Sequence, residues 1–204
     1  MSLIQILVIA YVVKLLNFAL CCMMLHASKD YFLYFAYGSN LLKRRIHINN
    51  PSAVFLGVGR LDKYKLDFVP GPYVKLWGGA VATIVPNDKE HVWGAVWRMQ
   101  SDALVTLDKQ EGVEIKQYFA KTVDVHIDNG KKAKCRTYQH LTTPPILDSL
   151  TNLPEDRRPS ITYKKCIING AIECSIPDEY IAKLKHIPDN GNYASDEIRK
   201  RLKF

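Results

Sequence analysis

The apolar positions of this chain change their spacing several times, and each spacing predicts a different element. Residues 31–36 form an unbroken apolar and aromatic run, too short for a helix and rich in strand formers, which predicts a buried strand. A glycine turn follows at residues 37–40. Residues 41–48 then have helical spacing, with Ser39 and Asn40 as candidate N-caps.

The middle of the chain predicts a series of short strands, because apolar runs alternate there with turn residues. The predicted strands are 53–60, 64–69, 80–85, 92–99, 118–127 and 133–139. Residues 86–89 are predicted as a loop, and the Asp128-Asn129-Gly130 sequence as a hairpin turn. A helix is predicted at 102–110, capped by Ser101, with Leu104, Leu107 and Val105 facing inward.

The last part of the chain predicts helices after a long loop. Residues 141–160 carry four prolines and many polar residues, which favours a surface loop. The predicted helices are 163–172, 178–187 and 195–202. Together these elements predict an α+β fold, and closing the many short strands into a barrel would leave no exposed sheet edge.

An apolar run at residues 3–25 does not belong to this pattern. Its length approaches that of a membrane span, but Lys14 lies at its centre, which costs roughly 2.5–3.5 kcal/mol on insertion. No basic residue precedes the run, so a secretory signal is disfavoured. Three interpretations stay open: a membrane anchor, an amphipathic or disordered leader, and a start codon assigned too far upstream. We therefore divide the chain into a leader, 1–30, and a folded domain, 31–204.

The net charge of +8 raises the question of nucleic-acid binding. Basic residues are scattered, with short clusters only at 43–45 and 199–201, and no nucleic-acid motif accompanies them. This favours a solvated basic surface and a small anionic ligand, with no nucleic-acid partner.

The cysteines and histidines predict neither a disulfide framework nor a metal site. Outside the leader, which holds Cys21 and Cys22, three cysteines remain without CxxC or metal-ligand spacing: Cys135, Cys166 and Cys174. We interpret them as reduced thiols of a cytosolic protein, and a Cys166–Cys174 disulfide is disfavoured. The six histidines show no HExxH or close pairing, and no phosphate-binding or dinucleotide motif is present.

Two segments carry candidate chemistry. Gly38 allows an unusual backbone conformation and close approach of a ligand, and free amides at the next helix start would bind a carboxylate or an oxyanion. Glu111 ends the predicted helix just before Gly112, where an acidic residue opposes the helix dipole. If its side chain turned inward, burial would raise its pKa and make it a usable base. From the residues alone, a plain turn and a solvated helix end remain alternatives.

Five motifs follow one another along the chain: FLYFAYGSNLL at 32–42, RIHINNPSA at 45–53, KLDF at 65–68, VWGAVWRM at 92–99 and LDKQEGV at 107–113. Their order resembles that of the animal γ-glutamylcyclotransferases. The similarity extends from about Tyr31 through the tail and leaves the leader outside.

The resemblance implies a small mixed β-barrel with flanking helices and a cavity at the glycine turn. It implies a catalytic role for Glu111 in the Gln-Glu-Gly sequence, no metal, no organic cofactor and often a homodimer. The substrate-binding residues that it implies are Tyr34, Phe35, Ala36, Tyr37, Gly38, Ser39 and Tyr163.

The expected activity is release of 5-oxoproline from γ-glutamyl amino acids or peptides, by intramolecular aminolysis with Glu111 as the base. Glutathione and γ-glutamylamines stay open as substrates, and a catalytically silent binding module is the alternative of another class. We expect a cytoplasmic catalytic domain, with membrane association through residues 3–25 left open. If the leader spans a membrane, Lys29 after it and no basic residue before it place the domain on the cytoplasmic side.

Overall fold

The structure is a computed structural model that describes residues 30–71, 74–127 and 130–204. The leader interpretations and the turn at 128–129 therefore lie outside the described residues. In the described ranges, no helix combines the length and the apolar character needed to cross a membrane.

The strands of the described chain close into a barrel with the order β1-β3-β2-β4-β5. They are β1 (Tyr31–Ala36), β2 (Val54–Val69), β3 (Val81–Gln100), β4 (Tyr118–His126) and β5 (Lys132–His140). Neighbouring strands pair antiparallel, except that β1 and β5 pair in parallel. The predicted mixed barrel is confirmed, and closure gives every strand two neighbours.

The two longest strands were predicted as four short ones, and this was wrong. Asp62 pairs with His91 and Tyr64 with Pro86, so residues 87–90 stand opposite Lys63 alone. Lys63 has a φ of 63°, which lets β2 bend at this bulge and continue. The turn residues at 86–89 are thus taken up within β3 instead of ending it.

Six helices of the described chain flank the barrel. They are α1 (Lys43–His47), α2 (Val74–Trp77), α3 (Ala103–Gln110), α4 (Ile161–Glu173), α5 (Asp178–His186) and α6 (Asp196–Leu202). The three predicted tail helices are confirmed, with Ser195 capping α6 through the N–H of Ile198. In α3, Leu107 is buried as predicted, whereas Val105 is 76% exposed and the inward prediction for it was wrong.

The first predicted helix differs from the structure. A three-residue 3₁₀ turn, Ser39–Leu41, comes first, and α1 begins only after the extended Leu42. Neither Ser39 nor Asn40 caps a helix through its side chain, so the N-cap prediction was wrong.

The loop at 141–160 is held to the barrel by a buried ion cluster. Arg157 pairs with the buried Asp67 and donates hydrogen bonds to the carbonyl oxygens of Phe68 and Pro145, each at 3.0 Å. Lys65 lies 3.7 Å from Asp67 and donates to the Leu147 carbonyl at 2.9 Å. These bonds give a loop with little regular structure a fixed place on β2.

The three cysteines of the folded domain are thiols, as predicted. Cys135, Cys166 and Cys174 are free and buried. Burial raises the pKa of each thiol to about 12, so they remain protonated and unreactive.

Candidate active site

The end of β1 and the glycine turn after it form one wall of a small polar cavity. The cavity has a volume of about 40 Å³. Its lining residues come from distant parts of the chain: Tyr34, Tyr37, Gly38, Ser39, Asn40, Ala82, Glu111, Tyr118, Tyr138 and Tyr163. The fold therefore brings together the two segments that the sequence singled out, the glycine turn and the end of α3.

Phe35 and Ala36, which the resemblance assigned to substrate binding, do not line this cavity. Side chains alternate along a strand, so Phe35 points away from the face that carries Tyr34. Its ring packs where Gly94 leaves room, since a Cβ on Gly94 would lie 2.6 Å from Phe35 Cε2. A role of these two residues in substrate binding stays a prediction.

Gly38 is required for space and not for backbone conformation. Its φ of −107° is not in the left-handed region, so a positive φ is not the reason for a glycine here. A Cβ added there would lie 3.2 Å from Tyr163 Oη and 3.3 Å from Ala82 Cβ, which is tight packing. Any larger residue would therefore push into the cavity.

The backbone amides of Gly38 and Ser39 are available to a ligand. Neither donates a hydrogen bond to another group in the described ranges. Gly38 and Ser39 stand at the start of the 3₁₀ turn Ser39–Leu41, whereas α1 begins only at Lys43. The anion site at this helix start stays a prediction.

The way α3 ends places Glu111. Gly112 has a φ of 66°, a left-handed conformation that glycine adopts readily. The Gly112 amide donates to the Lys109 carbonyl at 3.1 Å and the Val113 amide to the Asp108 carbonyl at 3.0 Å, the pattern of a Schellman motif. The chain turns sharply at this point, and the Glu111 side chain enters the cavity wall instead of the solvent.

Glu111 has an environment that alters its acidity. Burial raises the pKa of Glu111 above its usual value, although the positive charge of Arg45 and hydrogen bonds from Gln110 and Asn40 act in the opposite direction. Arg45 is itself buried, with its guanidinium 5.5 Å from the centre of the Trp77 ring. A carboxylate of raised pKa in a cleft is a typical acid–base catalyst.

Three of the five cavity tyrosines have their hydroxyl protons committed to the protein. Tyr118 donates to the Ala82 carbonyl at 2.8 Å, and Tyr37 donates to the carbonyl of Tyr138. Tyr138 donates to the Asp108 carboxylate, which Arg136 also holds through two bonds of 2.7 and 2.8 Å. These three side chains build the wall and have no proton left for a ligand.

Tyr34 and Tyr163 are different, because their hydroxyl oxygens act as acceptors. Tyr34 accepts from the Asn40 amide at 3.0 Å, and Tyr163 accepts from the Ala82 backbone N–H at 3.0 Å. Among the described groups, neither hydroxyl proton has an acceptor, so both hydroxyls are free to donate to a ligand. Burial raises the pKa of Tyr34 well above its usual value and that of Tyr163 to about 12, so both remain donors near neutral pH.

Four cavity residues were missed from the sequence or misread there. Asn40 was predicted as a helix cap, but its side chain donates to Tyr34 and to Glu111. Ala82, Tyr118 and Tyr138 stand in strands with no local motif, and only the barrel pairing brings them to the cavity. Across the described ranges, no three His, Cys, Asp or Glu residues are grouped as a metal site requires.

Comparisons with known proteins give the same picture. A profile of the AIG2-like family matches residues 91–184. The chain is 45% identical to a γ-glutamylcyclotransferase of Bos taurus, covering 84% of this chain and 88% of that one. It is 43% identical to the γ-glutamylcyclotransferase of Homo sapiens, covering 86% of this chain and 90% of that one.

A solved structure described as a γ-glutamyl cyclotransferase has the same fold, with a TM-score of 0.75 at 41% identity. The match covers 85% of this chain and 99% of that one. Sequence identity over most of both chains and agreement in fold lead to one conclusion: the chain belongs to the γ-glutamylcyclotransferase family.

Proposed function

We propose that the protein is a γ-glutamylcyclotransferase, which closes the glutamyl group of a γ-glutamyl amino acid or peptide into 5-oxoproline and releases the amine. The carrying observation is the Glu111 carboxylate, whose pKa burial raises, in a cavity that also presents free amides at Gly38 and Ser39. The relatives that bear this name over most of their length support the same reaction. A silent binding module would have no use for such a base.

The first chemical task is to create a nucleophile. The substrate's α-amine is an ammonium group at neutral pH and cannot attack until it loses a proton. Glu111 accepts that proton, and its raised pKa brings it closer to the value at which a general base is most effective. Because attacker and target belong to one molecule, the protein must otherwise only hold the glutamyl group folded back on itself.

The second task is to stabilise the charge that develops. The nitrogen attacks the γ-carbonyl carbon, a C–N bond forms, and the carbonyl oxygen becomes an oxyanion. The Gly38 and Ser39 amides and the Tyr163 hydroxyl are the donors for this oxyanion or for the substrate carboxylate. Loss of one such donor typically reduces the rate roughly 10²–10³-fold. When the bond from the γ-carbon to the leaving nitrogen breaks, Glu111 returns its proton to that nitrogen and is ionised again. The ring nitrogen still carries one extra proton, which passes to the released amine, so that the products are the neutral lactam and an ammonium group.

The finer parts of the proposal concern substrate and assembly. The net charge of +8 and the donor-rich cavity suit an anionic small molecule. Glutathione and γ-glutamylamines remain alternative substrates, and parallel assays of 5-oxoproline release would rank them. We extend the proposal to a lyase or acyltransferase-type cyclisation without cofactor, in glutathione metabolism, and to a homodimer as the resemblance implies.

Replacing Glu111 with Gln is expected to abolish turnover while preserving the fold. A glutamine oxygen can accept the bonds that Asn40 and Gln110 now donate to Oε1, but an amide cannot take up the ammonium proton. General-base catalysis is worth about 10²–10⁴-fold, so 5-oxoproline release from γ-glutamyl-alanine should fall by that order.

The exposed Glu114 provides the matched control, and Glu114→Gln should keep wild-type activity. Because the fold raises the pKa of Glu111, its ionised form is disfavoured in the folded state once the pH exceeds the unfolded value. The melting temperature of Glu111→Gln should therefore equal or exceed that of wild type at neutral pH. Retention of more than a few per cent of activity by this variant would show that the base is elsewhere.

Gly38→Val is expected to lose substrate binding while the barrel remains folded. The added Cβ would crowd Tyr163 Oη and Ala82, and the two methyl groups would enter the cavity. Calorimetry with γ-glutamyl-alanine, in a Glu111→Gln background that does not consume it, measures the affinity. Gly38→Ala should show an intermediate loss. Unchanged affinity in the valine variant would contradict a binding site at the glycine turn.

We also propose that the catalytic domain is cytoplasmic, whatever the fate of residues 1–30. Support comes from the buried free thiols and from the position of Lys29 after the apolar run. Full-length protein made in the presence of microsomes should leave residues 31–204 open to added protease. A protected domain, or one glycosylated at an engineered Asn-X-Ser site, would place it in the lumen and contradict the proposal.

A further inference from the structure

Gln110 has no role in the reaction as derived so far, yet it is the centre of a hydrogen-bond chain that ends on Glu111. Its Oε1 accepts from the side-chain amides of Asn49 at 3.2 Å and Asn50 at 3.1 Å. Its Nε2 donates to Asn40 Oδ1 and to Glu111 Oε1, each at 3.2 Å. With two donors directed at its oxygen, the Gln110 amide is oriented with its NH₂ group towards Glu111.

Two amide groups converge on the same oxygen of Glu111. Oε1 accepts from Asn40 Nδ2 at 3.0 Å as well as from Gln110 Nε2. A carboxylate oxygen has two lone pairs, so these bonds occupy Oε1 fully. Within the part of the chain that the structure describes, Oε2 accepts no hydrogen bond, and Glu111 lines the cavity. The two oxygens of one carboxylate are therefore unequal.

We propose that Gln110 is a positioning residue for the cyclisation: together with Asn40 it holds Oε1 of Glu111, so that Oε2 is the oxygen that accepts the substrate's proton. This inference rests on the proposed function of Glu111. Asn50 extends the arrangement into the turn before β2, where its side chain is buried. Gln110 thus connects the Glu111 carboxylate, through its own amide, to the buried Asn50 side chain.

The arrangement has a consequence for pH dependence. Donors to a carboxylate stabilise its charged form, so removing one raises the pKa of Glu111 further. As the pH is lowered, Glu111 then becomes protonated at a higher pH than in wild type. The acid limb of the kcat/KM profile therefore moves to higher pH. The other charged or titratable groups whose charge acts on Glu111 are Arg45 and Asp108. Four of the five cavity tyrosines also interact with it: Tyr34, Tyr37, Tyr118 and Tyr163. The tyrosines stay neutral across this range because burial raises their pKa values.

Two substitutions separate positioning from a purely structural role. Gln110→Met keeps the length of the side chain but donates nothing. Gln110→Glu keeps an oxygen for Asn49 and Asn50 but places a second carboxylate beside Glu111. If Gln110 only anchored the end of α3, folded Gln110→Met would keep the wild-type acid limb, whereas Gln110→Glu raises the pKa of Glu111 by charge alone in either case and shows that the assay detects such a shift. If it positions the base, both variants shift the acid limb upward, and the glutamate variant shifts it further.

The experiment measures kcat and KM for γ-glutamyl-alanine against pH in the full-length protein and its variants. We expect kcat of Gln110→Met to fall about tenfold, the scale of one hydrogen bond to a charged group, with KM little changed. Lys109→Met is the matched control, since the neighbouring Lys109 side chain is exposed and should leave the profile unchanged. Melting temperatures confirm that the variants are folded.

The outcomes distinguish this inference from the proposed function. If wild-type protein releases no 5-oxoproline, the proposed function itself is wrong. If wild type is active and depends on Glu111, but folded Gln110→Met keeps the wild-type acid limb, only the positioning role is overturned. An upward shift in Gln110→Met, with the Lys109→Met control unchanged, supports it.

Discussion

The site depends on the burial of one carboxylate. Glu111 stands at the end of α3, where an acidic side chain is unfavourable to the helix dipole, and burial disfavours its charge further. Amides from Asn40 and Gln110 and the positive charge of Arg45 offset part of that cost. The fold thus tolerates a buried carboxylate at the negative end of a helix, which a purely structural helix end would not need. In the reaction that we propose, the raised pKa is what suits Glu111 to act as the base.

The barrel builds the cavity around Glu111 from segments that are distant in sequence. Ala82, near the start of β3, donates its N–H to Tyr163 on α4 and accepts at its carbonyl from Tyr118 on β4. A single residue without a polar side chain thus fixes two tyrosines that face the cavity. Opposite it, Asp108 and Arg136 fix Tyr138. This wall leaves Tyr34, Tyr163 and the glycine-turn amides as the donors that have no acceptor among the described groups.

Sequence reasoning succeeded where the signal is local. The apolar run of β1, the three tail helices and the helix end at Glu111-Gly112 each depend on neighbouring residues, and the structure contains all of them. It failed where a distant partner decides. The turn residues at 86–89 lie in a bulge of β3 opposite Lys63. The Asn40 side chain donates a hydrogen bond to Glu111 instead of capping a helix. Tyr118 and Tyr138 carry no motif, because only strand pairing brings them to the cavity.

The central claim is that an ionised Glu111 with a raised pKa moves the substrate's proton. The most direct test is the pH dependence of kcat/KM for the wild-type protein, since this ratio reports ionisations of the free enzyme. We expect activity to fall tenfold per pH unit below a single pKa that lies above the ordinary range of a glutamate. An acid limb at the ordinary glutamate value, or none down to that value, would contradict the account.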